Sequence, residues 1–103
     1  DTKLQYARFF SARVLRRRAE YMHKHRLMAD GSLREPDNWK KGFTTQSYVD
    51  SLARHLQDVL EIHESGKTIR FENGEEVDLE DALVAIMFNC EAWLYELLKK
   101  DGQ

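Results

Sequence analysis

Four carboxylates occur as two pairs whose members are three residues apart, Glu61 with Glu64 and Asp78 with Asp81. On a helix, side chains three apart share a face, so each pair can point at one ligand. Magnesium prefers oxygen ligands of this kind and bridges phosphates. The four residues are therefore candidate magnesium ligands. The same spacing also suits Asp78 as an N-cap with Asp81 at the third helical position, and Glu61 and Glu64 at an exposed helix end.

A second group of chemical side chains lies between Asp37 and Leu56, where a polar turn precedes a helix. Trp39 in this turn is either a hydrophobic plug or a flat surface on which a base can stack, with Lys40 or Lys41 near its phosphate. The candidate ligand-binding residues of the stretch are Asn38, Trp39, Lys40, Lys41, Asp50, Arg54 and His55. The combination suits the anionic part of a ligand.

The helical members of this group also have structural interpretations. Asp50 and Arg54 are four residues apart, which permits an intrahelical ion pair. His55 borders an apolar stripe that includes Leu52 and Leu56, a place typical of a hydrogen-bonded structural histidine. Spacing alone therefore does not make any of them catalytic.

The first helix is strongly basic along its second half. Its cations either form a solvated face near a helix C-terminus or contact a phosphate, which the guanidinium fork of arginine suits. Arg17 and Lys24 are the candidates for a phosphate contact.

Other chemistries have little support in the sequence. Cys90, the single cysteine, falls within an apolar helix, where we expect a buried and inert thiol. A phosphate-binding glycine loop, a nucleophilic serine motif and a zinc-ligand spacing are absent from the sequence. The net charge of −2 argues against a nucleic-acid polymer or a membrane surface as the partner.

The hydrophobic spacing predicts a mainly all-α fold, a three-helix unit with a small β-hairpin between helices two and three. The predicted elements are helix one over 3–28, a loop to Phe43, helix two from a Thr44 or Thr45 cap to about Glu64, the hairpin over 67–77 and helix three over 78–100. Asn73-Gly74 favours a type I′ turn in the hairpin. At 103 residues we expect a single domain, 1–103, with no signal peptide or membrane span.

Helix three is apolar nearly all round, which is typical of a buried helix. Two other helices in a chain of 103 residues do not suffice to cover it. We therefore expect a helical oligomer that associates through helix three.

The sequence Asn38-Trp39-Lys40-Lys41-Gly42, followed by Tyr48-Val49-Asp50-Ser51-Leu52 and Arg54-His55-Leu56, resembles the signature of the phage dATP/dGTP diphosphohydrolase N-terminal domain family. That family is similar to the MazG-type all-α nucleoside triphosphate pyrophosphatases. The segment Asp78-Leu79-Glu80-Asp81-Ala82-Leu83 is more weakly similar to their Glu-x-x-Asp-Val-Leu segment.

The resemblance implies an oligomeric, magnesium-dependent enzyme that cleaves a deoxynucleoside triphosphate to the monophosphate and pyrophosphate. It would place Asp78 and Asp81 at the metal, with water activated by the metal and a carboxylate. Lys40, Arg54 and His55 would contact phosphate, and His55 would belong to the catalytic set. Trp39 would shape the base pocket. The location implied is the cytoplasm of an infected bacterium.

The sequence departs from that pattern in its carboxylates and histidines. Helix one offers only Glu20 where MazG-type enzymes carry a Glu-x-x-Glu pair, and Ala82 and Ala85 stand where family histidines are expected. This favours, as an alternative, an inactive binder that sequesters a nucleotide-derived bacterial immune signal of a cyclic or ADP-ribose type. A structural or interaction protein is a third possibility.

Overall fold

The computed structural model describes residues 3–100, and for Lys100 the backbone alone. The fold is mainly helical, with three α-helices and a small antiparallel hairpin between the second and the third, as predicted. The chain forms two compact units, Asp1–Pro36 and Asp37–Gln103. That residues 1–103 act as one nucleotide-binding domain stays a prediction. No helix within residues 3–100 is long and apolar enough to cross a membrane.

The first unit contains α1, Ala12–Lys24, which is shorter than the predicted 3–28 helix. The helix begins late because Ser11 acts as its N-cap, with the Ser11 hydroxyl accepting from the Val14 N–H at 3.3 Å. Residues Tyr6–Arg8 before it form a separate 3-10 turn. The predicted start of helix one at Lys3 was therefore wrong.

The chain turns back after α1 instead of continuing the helix to Met28. Leu27 and Leu33 form an isolated antiparallel bridge, and the Met28 N–H donates to the Ser32 carbonyl at 2.8 Å. Asp30 stabilises this reversal, because its Oδ1 accepts from both the N–H and the hydroxyl of Ser32. These hydrogen bonds hold the pKa of the exposed Asp30 carboxyl below its ordinary value.

The second unit is built on α2, Thr45–Ser65, and α3, Leu79–Lys100, which pack along each other. Thr44 caps α2 as predicted, since its hydroxyl accepts from the Ser47 N–H at 3.2 Å. Gly66, in the left-handed conformation with φ +70°, ends α2.

A short hairpin links the two helices, with β1 (Ile69–Arg70) paired to β2 (Glu76–Val77) and an ion pair between Arg70 and Glu76. Its turn differs from the predicted type I′ turn, which needs positive φ at Asn73. Among the described residues only glycines have positive φ. The Gly74 N–H instead closes the turn on the Phe71 carbonyl at 2.9 Å, and Gly74, with φ +88°, takes the left-handed position.

The core of the second unit lies between α2 and α3. Buried alanines on α3 permit close approach of the helices, and the buried Tyr48 ring of α2 stacks on Trp93. The buried side chains of this core are Tyr48, Ile62, Ala82, Val84, Ala85, Asn89 and Ala92. The prediction that Cys90 is buried was wrong for the single chain, in which Cys90 is exposed.

Candidate functional site

Trp39 anchors the polar turn before α2 to the side of α3. The turn is a 3-10 helix, Asn38–Lys41. The Trp39 ring meets Tyr95 and Phe88 edge-on, with centroids 5.2 and 6.0 Å away. This geometry matches the plug interpretation of Trp39. Stacking of a base on its partly exposed ring stays a prediction.

Two ammonium groups flank the pair of rings formed by Trp39 and Tyr95. Lys40 Nζ lies 5.9 Å from the centre of the Trp39 ring, and Lys99 Nζ lies 5.4 Å from that of Tyr95. Lys99 also donates to the Lys40 carbonyl at 3.4 Å, which ties the end of α3 to the turn. We call Trp39, Lys40, Tyr95 and Lys99 the aromatic–lysine cluster. Such a cluster can bind an anion next to an apolar ring.

Gly42 and Tyr48 hold the turn in place. Gly42 has φ +87° and ψ 167°, a conformation that side chains strongly disfavour. It also faces Glu96, whose Oε1 would lie 2.5 Å from an added Cβ and which pairs with Lys99 at 3.4 Å. After Gly42, the Phe43 N–H donates to the Tyr48 hydroxyl at 3.1 Å. The exposed Lys40 and Lys41 therefore lie on a turn that the conformation of Gly42 and the hydrogen bond to Tyr48 hold in place.

The predicted helical members of the site have local partners on α2. The Asp50 carboxylate accepts from Gln46 at 2.8 Å, and Arg54 donates to the Ser51 hydroxyl at 3.3 Å. The two side chains make these contacts in place of the Asp50–Arg54 ion pair that their spacing permits. His55 is partly buried, and its Nδ1 lies 3.8 Å from the carboxylate of Asp58. This placement suits the structural interpretation of His55, although ligand binding by these residues stays a prediction.

The predicted phosphate contacts of the basic helix lie in the other unit. Arg17 is partly buried on α1, and Lys24 is exposed in its last turn. Their role in binding stays a prediction.

Asp78 and Asp81 cap the start of α3 reciprocally. The Asp81 N–H donates to Asp78 Oδ1 at 2.8 Å, and the Asp78 N–H donates to Asp81 Oδ2 at 3.2 Å. This capping box satisfies two amides that lack helical partners. Capping by Asp78 and Asp81 was the alternative to magnesium binding in the interpretation of the sequence.

The predicted magnesium ligands do not assemble into one site within the described chain. Glu61 accepts from Gln57 at 3.2 Å, and Glu64 is exposed near the end of α2. Among the described residues, no group of three or more histidine, cysteine or acidic side chains is arranged to hold a metal ion. Magnesium binding by these residues stays a prediction.

Sequence reasoning missed Lys99 and Tyr95 as members of the cluster. Lys99 is 59 residues from Lys40, and the only signal it gave was its place near the end of an apolar helix. Comparisons with protein-family models, curated proteins and solved structures find no match to this chain.

Proposed function

We propose that this chain binds a nucleotide or a nucleotide-derived molecule at the aromatic–lysine cluster. The observation that carries the proposal is that two ammonium groups flank the ring pair formed by Trp39 of the turn and Tyr95 of α3. Phosphates attract ammonium groups, and bases pack against aromatic rings. A nucleotide contains both, so it matches the cluster better than a simple anion does.

The reaction that we propose first is magnesium-dependent cleavage of a (deoxy)nucleoside triphosphate to the monophosphate and pyrophosphate. It is supported by the resemblance over Asp37 to Leu56. The protein would act as an oligomer joined through α3, in the cytoplasm of an infected bacterium. Because the described residues contain no group of three or more such ligands, we propose that a second copy or the substrate phosphates complete the coordination of magnesium.

A second candidate function is retention of an intact molecule, such as a cyclic or ADP-ribose-type bacterial immune signal. The reciprocal capping of Asp78 and Asp81 favours it, since that contact gives both carboxylates a structural role. Beside the cluster, Glu96 pairs with Lys99. Use of this carboxylate in an ion pair suits binding without hydrolysis.

Incubation with a panel of nucleotides separates the two functions. The panel contains deoxynucleoside triphosphates, cyclic nucleotides and ADP-ribose derivatives, with and without magnesium, followed by chromatography of products and of ligand released on denaturation. Pyrophosphate release that Asp81→Asn abolishes supports the enzyme. Recovery of an intact panel member after denaturation supports the binder. If the experiment yields no product and no retained ligand, that result contradicts the proposal of nucleotide binding.

A further inference from the structure

The hairpin turn at residues 71–75 holds the side-chain amide of Asn73 against the main chain. Two backbone hydrogen bonds close the turn, from the Phe71 N–H to the Glu75 carbonyl and from the Gly74 N–H to the Phe71 carbonyl, each at 2.9 Å. The Glu75 N–H also donates to Asn73 Oδ1 at 2.9 Å, which makes this an Asx turn. The ring that this hydrogen bond closes passes through Asn73 Cγ and the Gly74 nitrogen. These two atoms therefore stay on the same side of the turn.

The surroundings of Asn73 Cγ favour attack by the Gly74 nitrogen. Gly74 has no side chain to hinder the approach, and a Cβ added there would meet open space. The Glu75 N–H lies at Asn73 Oδ1, where negative charge develops as the nitrogen adds to the amide. The Gly74 N–H must first leave the Phe71 carbonyl. This opening costs little in an exposed hairpin whose strands contain two residues each.

We infer that Asn73 is a site of spontaneous deamidation in the folded chain. The Gly74 nitrogen gives its proton to the solvent and forms a bond to Asn73 Cγ. Asn73 Nδ2 takes up a proton and leaves as ammonia, so that a cyclic imide joins the two residues. Water then opens the imide at Cγ, which gives aspartate, or at the main-chain carbonyl carbon, which gives isoaspartate. The reaction consumes water and releases ammonia, and it does not depend on nucleotide binding.

The turn at residues 28–32 has the same geometry with an acid in place of the amide. The Met28 N–H donates to the Ser32 carbonyl at 2.8 Å, and the Gly31 N–H donates to the Met28 carbonyl at 3.0 Å. Gly31 has the same φ as Gly74, +88°, and Asp30 Oδ1 accepts from the Ser32 N–H at 2.9 Å. Hydrogen bonds from the Ser32 hydroxyl and amide hold the pKa of Asp30 below its ordinary value. Asp30 is therefore a carboxylate at neutral pH, which resists attack by a nitrogen, and its turn serves as an internal control.

Deamidation changes both the charge and the shape of the hairpin. Each product adds a negative charge beside Glu72 and Glu75. Isoaspartate also lengthens the main chain by one carbon, which displaces the Gly74 N–H from the Phe71 carbonyl. We therefore expect a looser link between α2 and α3 in the isoaspartate product.

Incubation of the native chain for days at mildly alkaline pH and physiological temperature tests the site. Peptide mapping by mass spectrometry locates lost amides, and an isoaspartate-specific methyltransferase labels the rearranged product. Asn73 should lose its amide before Asn38 and Asn89, the other asparagines of the chain, and Asp30 should stay unlabelled. A native chain that keeps the Asn73 amide while the urea-unfolded chain loses it would overturn the inference, because the folded turn would then protect Asn73.

Two substitutions separate the effect of the turn from that of the sequence around it. Asn73→Gln moves the amide one carbon farther from the Gly74 nitrogen and should abolish the product at this turn. Asp30→Asn places an amide in the matched turn and should create a second labelled site, with a rate within about tenfold of that of Asn73. Circular dichroism checks that both variants stay helical. An Asp30→Asn chain that gains no product, or a native chain labelled at Asp30 as fast as at Asn73, would contradict the role of the amide in this turn.

Discussion

Substitution of Gly42 by alanine tests how the turn that contains Trp39 is stabilised. Its φ of +87° and ψ of 167° lie in a region that is nearly exclusive to glycine, where another residue costs about 1–3 kcal/mol. An alanine Cβ would also lie 2.5 Å from Glu96 Oε1, so the Glu96 side chain would have to move away. We expect Gly42→Ala to lower the free energy of unfolding by about 2 kcal/mol and Tm by roughly 8–16 °C.

Thermal unfolding followed by circular dichroism measures this change, and Gly74→Ala is the matched control. Gly74 has a similar φ of +88°, but an added Cβ there meets open space. The control should therefore lose only about 1 kcal/mol. Equal or smaller destabilisation by Gly42→Ala would refute the argument that the Gly42 backbone conformation and the nearby Glu96 together disfavour a side chain at this position.

Two further predictions concern carboxylates. Asp78→Ala should destabilise the chain by about 1 kcal/mol through loss of the cap on α3, whereas Asp78→Asn, which still accepts a hydrogen bond, should lose less than half of that in urea unfolding; equal losses would contradict the hydrogen bond to Asp78 as the cause, and an unchanged stability of Asp78→Ala would show that the cap does not stabilise α3. Ser32→Ala should raise the pKa of Asp30 toward its ordinary value, as measured by NMR titration. Because folding lowers that pKa, the associated stability is present above the unfolded-state pKa and is lost as pH falls through the folded-state value; an unchanged pKa in Ser32→Ala would contradict the assigned cause.

The elements that were predicted correctly from the sequence are those marked by local sequence signals, such as helix caps and regular apolar spacing. Thr44 is followed three residues later by the amide that it caps, and Asp78 and Asp81 cap each other within one turn. The helical spacing that follows these caps is long and regular in α2 and α3. Such signals need no knowledge of the rest of the fold.

The predictions that were wrong concern the bounds of helix one and the type of the hairpin turn, where several local signals compete. An apolar spacing from Lys3 suggested one long first helix, but the Ser11 cap and the pairing of Arg26 with Arg34 limit it at both ends. Asn73-Gly74 suited a type I′ turn, but the chain closes the turn one residue earlier, on Phe71.

The candidate site shows the same limit. Trp39 and Lys40 were identified from one stretch, but their neighbours Tyr95 and Lys99 come from the far end of the chain. Periodicity placed Cys90 in a buried helix because it cannot tell which side of an apolar helix the chain itself covers.

Calorimetric titration with dATP and, separately, with ADP-ribose tests nucleotide binding at the aromatic–lysine cluster most directly. The native chain should bind at least one of them, and Lys40→Ala and Lys99→Ala should each weaken that binding about tenfold through loss of a charged contact to phosphate. Lys67→Ala, which removes an exposed lysine beyond the end of α2, should leave it unchanged. Binding that is absent for both probes, or equally weakened by all three substitutions, would contradict the assignment of the cluster as the binding site.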